Sequence, residues 1–209
     1  MEKTAAPSPL TEEDRQIIMI VRELRSQLNI NRSEVSANTV SWADQFFLRR
    51  APPEYIRFWL GDVRLPVVLK GKLSPEEWRP ILASALIYFR IITKKTVRYT
   101  GEFVILPFML VGIVSAFTLR SFGFGLGPSQ IAGLSLSLIF TTCFIGILVL
   151  GRKIGWIRLK ADQEAARLVG SDQLRKSLEK VDQIVGGAAS ILTTLRLKPS
   201  LKKRIRNLE

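Results

Sequence analysis

The chain has 209 residues, with 31 Lys and Arg against 18 Asp and Glu, no histidine, one cysteine, a formal net charge of +13 and a pI near 10.4. This inventory excludes a disulfide framework, a Cys/His metal cage and any chemistry that needs an imidazole. The basic balance points to an anionic surface, either nucleic acid or lipid. Arg120 is the only charge between Phe103 and Gly151, so the membrane is the favoured partner. Nucleic acid is disfavoured, because no recognition motif accompanies the charge.

Residues 1–10 read as a flexible tail; the segment has no apolar core, so no signal peptide is expected. A helix is expected from Thr11, with Asp14 three residues on. Its stripe is Ile17, Ile20, Val21, Leu24 and Leu28, which suits a core or the face of an interfacial helix on anionic lipid. Asn29 to Ser33 breaks the pattern. A second helix is expected from about Ser36 to Arg50, with Val40, Ala43, Phe46 and Phe47 inward, stopped by Pro52-Pro53. Tyr55–Leu60 and Val63–Leu69 then read as a hairpin around Gly61-Asp62, with Pro66 marking the return strand as an edge or a bulge.

The strongest helix start is Ser74-Pro75-Glu76-Glu77, a capping box with proline at the first helical position. Trp78, Ile81, Leu82, Ala85, Phe89 and Ile92 follow on one face, and Pro80 predicts a small distortion. Two apolar runs come next. Residues 103–119 are at the short end for a membrane span and residues 131–150 are of the required length; a glycine-rich turn joins them. Arg90, Lys94, Lys95 and Arg98 precede the first run, and Arg152, Lys153, Arg158 and Lys160 follow the second. Such flanks are expected on the cytoplasmic side, with both termini there and the turn outside. Gly170 reads as a helix C-cap, and a further helix carries Leu174, Leu178, Val181 and Val185 up to Gly186-Gly187. Residues 188–195 are expected to resume it. The basic tail, 197–209, reads as solvated or as drawn to anionic headgroups by about 1 kcal/mol per base.

The segment Leu73-Ser74-Pro75-Glu76-Glu77-Trp78, with Ile81-Leu82-Ala83, resembles the lead-in to the active-site helix of integral-membrane zinc metallopeptidases of the HtpX-like and CAAX-prenyl-peptidase type. The positions of that family's His-Glu-x-x-His are filled here by Ser84, Ala85, Leu86, Ile87 and Tyr88. The stretch from Trp156 to Gly170 resembles the family's Glu-x-x-Ala-Asp-x-x-Ala segment. There Arg158 stands where the third zinc ligand would be, and Asp162 matches an aspartate that supports a ligating histidine. The order, motif helix, two spans and third-ligand helix, agrees with the family over about residues 63–185. The resemblance therefore implies a mainly α membrane protein: a helical peptidase-like domain with a small β-hairpin or sheet, interrupted by a two-helix transmembrane hairpin. The expected segments are 1–10, 11–101, 102–151, 152–196 and 197–209.

The resemblance also implies a degenerate site. Ser84, Ala85, Tyr88 and Arg158 replace all three ligands and the catalytic glutamate, so no metal, no cofactor and no zinc proteolysis are expected. Arg158 is expected to occupy the space itself, with Asp162 or the Tyr88 hydroxyl as its partner. The expected function is that of a non-catalytic scaffold, adaptor or accessory subunit of another membrane protein or complex. The alternative is a membrane-associated hydrolase with a rearranged site, with Ser84 as nucleophile and Lys94 or Lys95 as base, a weak arrangement without a placed base.

Overall fold

The first helix, α1 (Glu12–Gln27), starts where the capping box places it. The Thr11 N–H and hydroxyl donate to Asp14 Oδ2 at 2.8 and 2.7 Å, and the Asp14 N–H donates to Thr11 Oγ1 at 3.3 Å. Ile17, Ile18, Val21 and Leu24 form its buried face, and Asn29, at φ 51°, turns the chain after it. In the computed structural model the described residues are 10–31, 35–43, 56–59, 61–106, 108–113, 128–185 and 199–208.

The next element departs from the sequence reading. Thr39–Ala43 is a strand, β1, and not the start of a helix from Ser36. The i, i+3 spacing of Val40 and Ala43 fits a helix face, and the strand is decided by pairing: β1 runs parallel to β3 (Asp62–Pro66), Val40 opposite Val63 and Trp42 opposite Leu65. Residues 44–50, including Phe46 and Phe47, lie outside the described residues. β2 (Arg57–Trp59) pairs antiparallel with β3, with Phe58 opposite Val63, as the hairpin reading requires. Gly61, at φ 89°, supplies the turn; a Cβ there would meet Ser36 Oγ at 3.3 Å. The sheet order is β1-β3-β2, so Pro66 ends the central strand and does not mark an edge. Val67–Leu69 continues as a single 3₁₀ turn.

Helix α2 (Pro75–Thr100) is the element around which the core is built. The Ser74 N–H donates to Glu77 Oε2 at 2.7 Å and the Glu77 N–H to Ser74 Oγ at 3.4 Å, the box predicted there. The burial goes beyond one face. Every residue from Ile81 to Ile87 is buried, because α1, α3 (Pro128–Val169) and α4 (Ser171–Val185) all pack on α2. A turn buried on all sides carries apolar residues all round, and Ser84 is its one polar member. At Gly101–Ile105 the helix widens into a π turn, and helical residues follow at 106 and 108–113. Ile105, Leu106, Phe108, Met109, Leu110 and Ile113 there are exposed.

α1 is tied to the rest through its acidic first turn. Asp14 Oδ1 accepts from Trp42 Nε1 at 2.7 Å, and Glu13 accepts from Trp78 Nε1 at 3.3 Å and from the Gly71 N–H. The two indoles meet edge to face at 6.0 Å. Asp14→Ala removes a cap and leaves a half-buried indole N–H without its acceptor. It is expected to lower stability by about 2 kcal/mol, checked by thermal melting against Gln16→Ala, which touches only a neighbouring exposed glutamate.

The second apolar run and the helix expected after it form one element. α3 is 42 residues long and spans about 63 Å without a break at the Arg152-Lys153 boundary. In its first half Leu136, Leu138, Phe140, Phe144, Ile145 and Ile147 are exposed; in its second half Ile157, Ala161, Asp162 and Ala165 are buried. Among the described residues this is the one helix long and apolar enough to cross a membrane. Residues 114–127, which hold the end of the first run and the glycine-rich turn, lie outside them. Gly170, at φ 95°, ends α3 as expected, and α4 buries Leu174, Ser177, Leu178 and Val181. Residues 186–198 are outside the described set. The basic tail then departs from its sequence reading. Leu201–Arg206 is a short helix, α5, capped by Ser200, with Leu201 and Arg204 buried in the same core as α2 and α4.

Candidate functional site

Ser84 is buried among apolar neighbours on α2, and a hydroxyl there needs a partner. Its partner comes from α3. Ser84 Oγ donates to Asp162 Oδ1 at 2.5 Å, across 78 residues of sequence. Asp162 is itself fully buried, and a carboxylate in that position must be paired. The pairing comes from α5: Arg204 Nε donates to Asp162 Oδ2 at 2.7 Å and Arg204 Nη2 to Asp162 Oδ1 at 2.8 Å. This is the parallel two-bond geometry in which a guanidinium fits a carboxylate best. Arg204 Nη2 also lies 3.5 Å from Ser84 Oγ. Arg204 is 1% exposed, so the whole constellation is out of water.

One turn further along α2, Tyr88 is half-buried, and the Arg158 guanidinium carbon sits 5.0 Å from its ring centroid. Four of the five positions singled out on the two motif helices are therefore brought together in two pairs, Ser84 with Asp162 and Tyr88 with Arg158. Ala85 is buried and offers only a methyl group. Arg158 is expected to pair with Asp162 or the Tyr88 hydroxyl; the structure places its guanidinium over the Tyr88 ring, with its charge acting on Asp162. Two direct hydrogen bonds to Asp162 come from Arg204, which the sequence reading left in a lipid-attracted or solvated tail. A signal for it existed: Leu201, Arg204, Ile205 and Leu208 recur at helical spacing, so Arg204 occupies an apolar-face position.

Burial alone would raise the Asp162 carboxyl. The charge and hydrogen bonds of Arg204, the charge of Arg158 and the Ser84 hydroxyl outweigh burial and hold it below the ordinary value of 3.8. A folded-state value below the unfolded one means that the carboxylate stabilises the fold fully above about pH 4. That contribution is lost as pH falls below 3.8 towards the depressed value. Thermal unfolding followed down an acid series should therefore show a fall in this window, and Asp162→Asn should flatten it.

Arg158→Ala removes the cation over Tyr88 and one of the charges that keep Asp162 ionised. It is expected to cost about 1–2 kcal/mol, measured by melting in detergent; an unchanged melting temperature would mean that the ring contact contributes nothing.

The zinc implied by the family resemblance does not fit these residues. Ser84 and Asp162 are engaged with each other and with Arg204, Ala85 has no donor atom, and two guanidiniums face the one carboxylate, a field that repels a dication. Among the described residues no group of three or more His, Cys, Asp or Glu is gathered to hold a metal ion. Nor is Ser84 disposed as a nucleophile: its proton points to Asp162, and Lys94 and Lys95 lie about 15–16 Å further along the same helix.

A second polar tie joins the site's scaffold. Lys180 Nζ on α4 donates to both oxygens of Glu77 at 2.7 Å. Burial would raise the Glu77 carboxyl, but the Lys180 ammonium and the Ser74 N–H lower it. The capping residue of α2 thus also anchors α4. The chain matches no protein-family model and no curated protein.

Proposed function

We propose that the chain is a membrane-anchored, non-catalytic protein of HtpX-like metallopeptidase architecture, serving as scaffold, adaptor or accessory subunit of another membrane protein. The observation that carries this reading is the convergence of both motif segments on one buried point that is built as an ion pair and not as a ligand set. Ser84 and Tyr88 from α2 meet Asp162 and Arg158 from α3, across 78 and 70 residues, and this supports the family reading. What occupies the point is a guanidinium held by two hydrogen bonds.

The membrane part of the proposal is a two-span hairpin with both termini on the cytoplasmic side. It is supported by the exposed apolar residues of α3 between Leu136 and Ile147 and of the extension of α2 between Ile105 and Ile113. Arg152 and Lys153, exposed directly after the α3 run, suit the cytoplasmic headgroup level. The lipid bilayer and its anionic headgroups are then one partner and a membrane protein the other.

The test is affinity purification of the full chain from native membranes in mild detergent, with mass spectrometry of what stays bound. The expected result is one membrane protein in stoichiometric amount. Recovery of the chain alone, or with scattered unfolded proteins, would overturn the scaffold reading.

A further inference from the structure

Helix α5 is six residues long, too short to hold its own shape in water. Its form comes from the surface on which it lies. Leu201, Arg204, Ile205 and Leu208 give it one inward face, while Lys202, Lys203 and Arg206 are exposed. Beneath that face lies an acceptor set suited to one guanidinium: both oxygens of Asp162 from α3, with Ser84 Oγ from α2 beside them. Asn207 Nδ2 donates to the Leu159 carbonyl at 3.3 Å. With Arg204 on Asp162 and Asn207 on Leu159, α5 runs antiparallel to α3, and the direction of the bound segment is fixed as well as its anchor.

We propose that the surface beneath α5 is a docking site for a short arginine-anchored helix, and that residues 199–208 are its resident occupant, held there in cis. Recognition has three parts: a guanidinium, apolar residues three before, one after and four after it, and an amide three after it. An ammonium could not make the parallel pair of bonds to Asp162, so lysine is a poor substitute. The proposal rests on these contacts alone and is independent of the scaffold reading.

The test uses the full chain with a site-specific protease sequence inserted after Gly187. The protein is purified folded in detergent, cut, and mixed with a fluorescent peptide of sequence 198–209. The expected result is saturable exchange of the released segment for the labelled one in the cut chain and exclusion of the peptide by the uncut chain. An Arg204→Ala peptide should bind about 100-fold more weakly or worse, and Arg204→Lys about tenfold more weakly. Asp162→Asn in the cut chain should weaken the unaltered peptide to a similar degree. Dimers formed by the uncut chain on long incubation, and absent in Arg204→Ala, would support the same site filled by a second copy. Retention of the cut segment without exchange, precipitation of the cut wild-type chain when it leaves, or equal binding of the Arg204→Ala peptide would overturn the proposal.

Discussion

Arg204→Met in the full chain is expected to lower stability by about 3–5 kcal/mol, a fall in melting temperature on the order of 10 °C for a chain of this size. The substitution keeps most of the apolar stem and removes the guanidinium. Asp162 would then lie buried with only the Ser84 hydroxyl and the ring-bound Arg158 near it. The magnitude comes from the stranded charge and not from the attraction itself. Asp162→Leu combined with Arg204→Met should therefore recover most of the loss, since an apolar pair of similar volume needs no desolvation of ions. Ser84→Ala should cost less than either single change at the ion pair, because Arg204 still satisfies both carboxylate oxygens. Melting of the three variants and the double variant closes a cycle. A coupling near zero between positions 162 and 204 would mean that the pair is not formed.

Phe140→Arg is expected to reduce membrane insertion of the full chain by about 100-fold, because an arginine at mid-span is about 3 kcal/mol less favourable than the phenylalanine it replaces. The value of this substitution lies in its sign. Phe140 is 67% exposed, so if α3 ran through water the change would remove an exposed ring and cost little. In a bilayer the same exposed position faces lipid. Carbonate extraction of membranes, with glycosylation tags in the turn to report sidedness, separates the two. Retention in the membrane fraction equal to wild type would count against the span.

The parts of the fold that sequence revealed are those decided within one turn of chain. The caps at Thr11 and Ser74 need only a partner three residues away, and the turn at Gly61 needs only its own backbone freedom. β1 was misread because the i, i+3 spacing of Val40 and Ala43 fits a helix, and the deciding partners, Val63 and Leu65, are more than 20 residues distant. The candidate site was legible in halves. Each motif segment was visible through its local residue order, but that Ser84 would give its proton to Asp162 is a fact about how α2 lies on α3. Arg204 was hidden for a different reason. Charges in a basic tail are ordinarily solvated, and only the depth of Asp162, 42 residues earlier, makes one of them a core residue. The joining of the second apolar run to its following helix was missed because a change from apolar to charged residues does not by itself mark a change of backbone.

Arg204 is also made late. At roughly 5–20 residues per second, about 2–8 s of synthesis separate Asp162 from the guanidinium that neutralises it. By then α1, the sheet, α2 and both apolar runs have already been produced. Until Arg204 arrives, closing α2 and α3 over Asp162 would bury its carboxylate without the guanidinium that pairs with it in the fold. A hydrated seam around Asp162 is therefore the arrangement expected of a nascent chain that still lacks Arg204. A chain interrupted before Arg204 is expected to expose an open core at Asp162 rather than a frayed end.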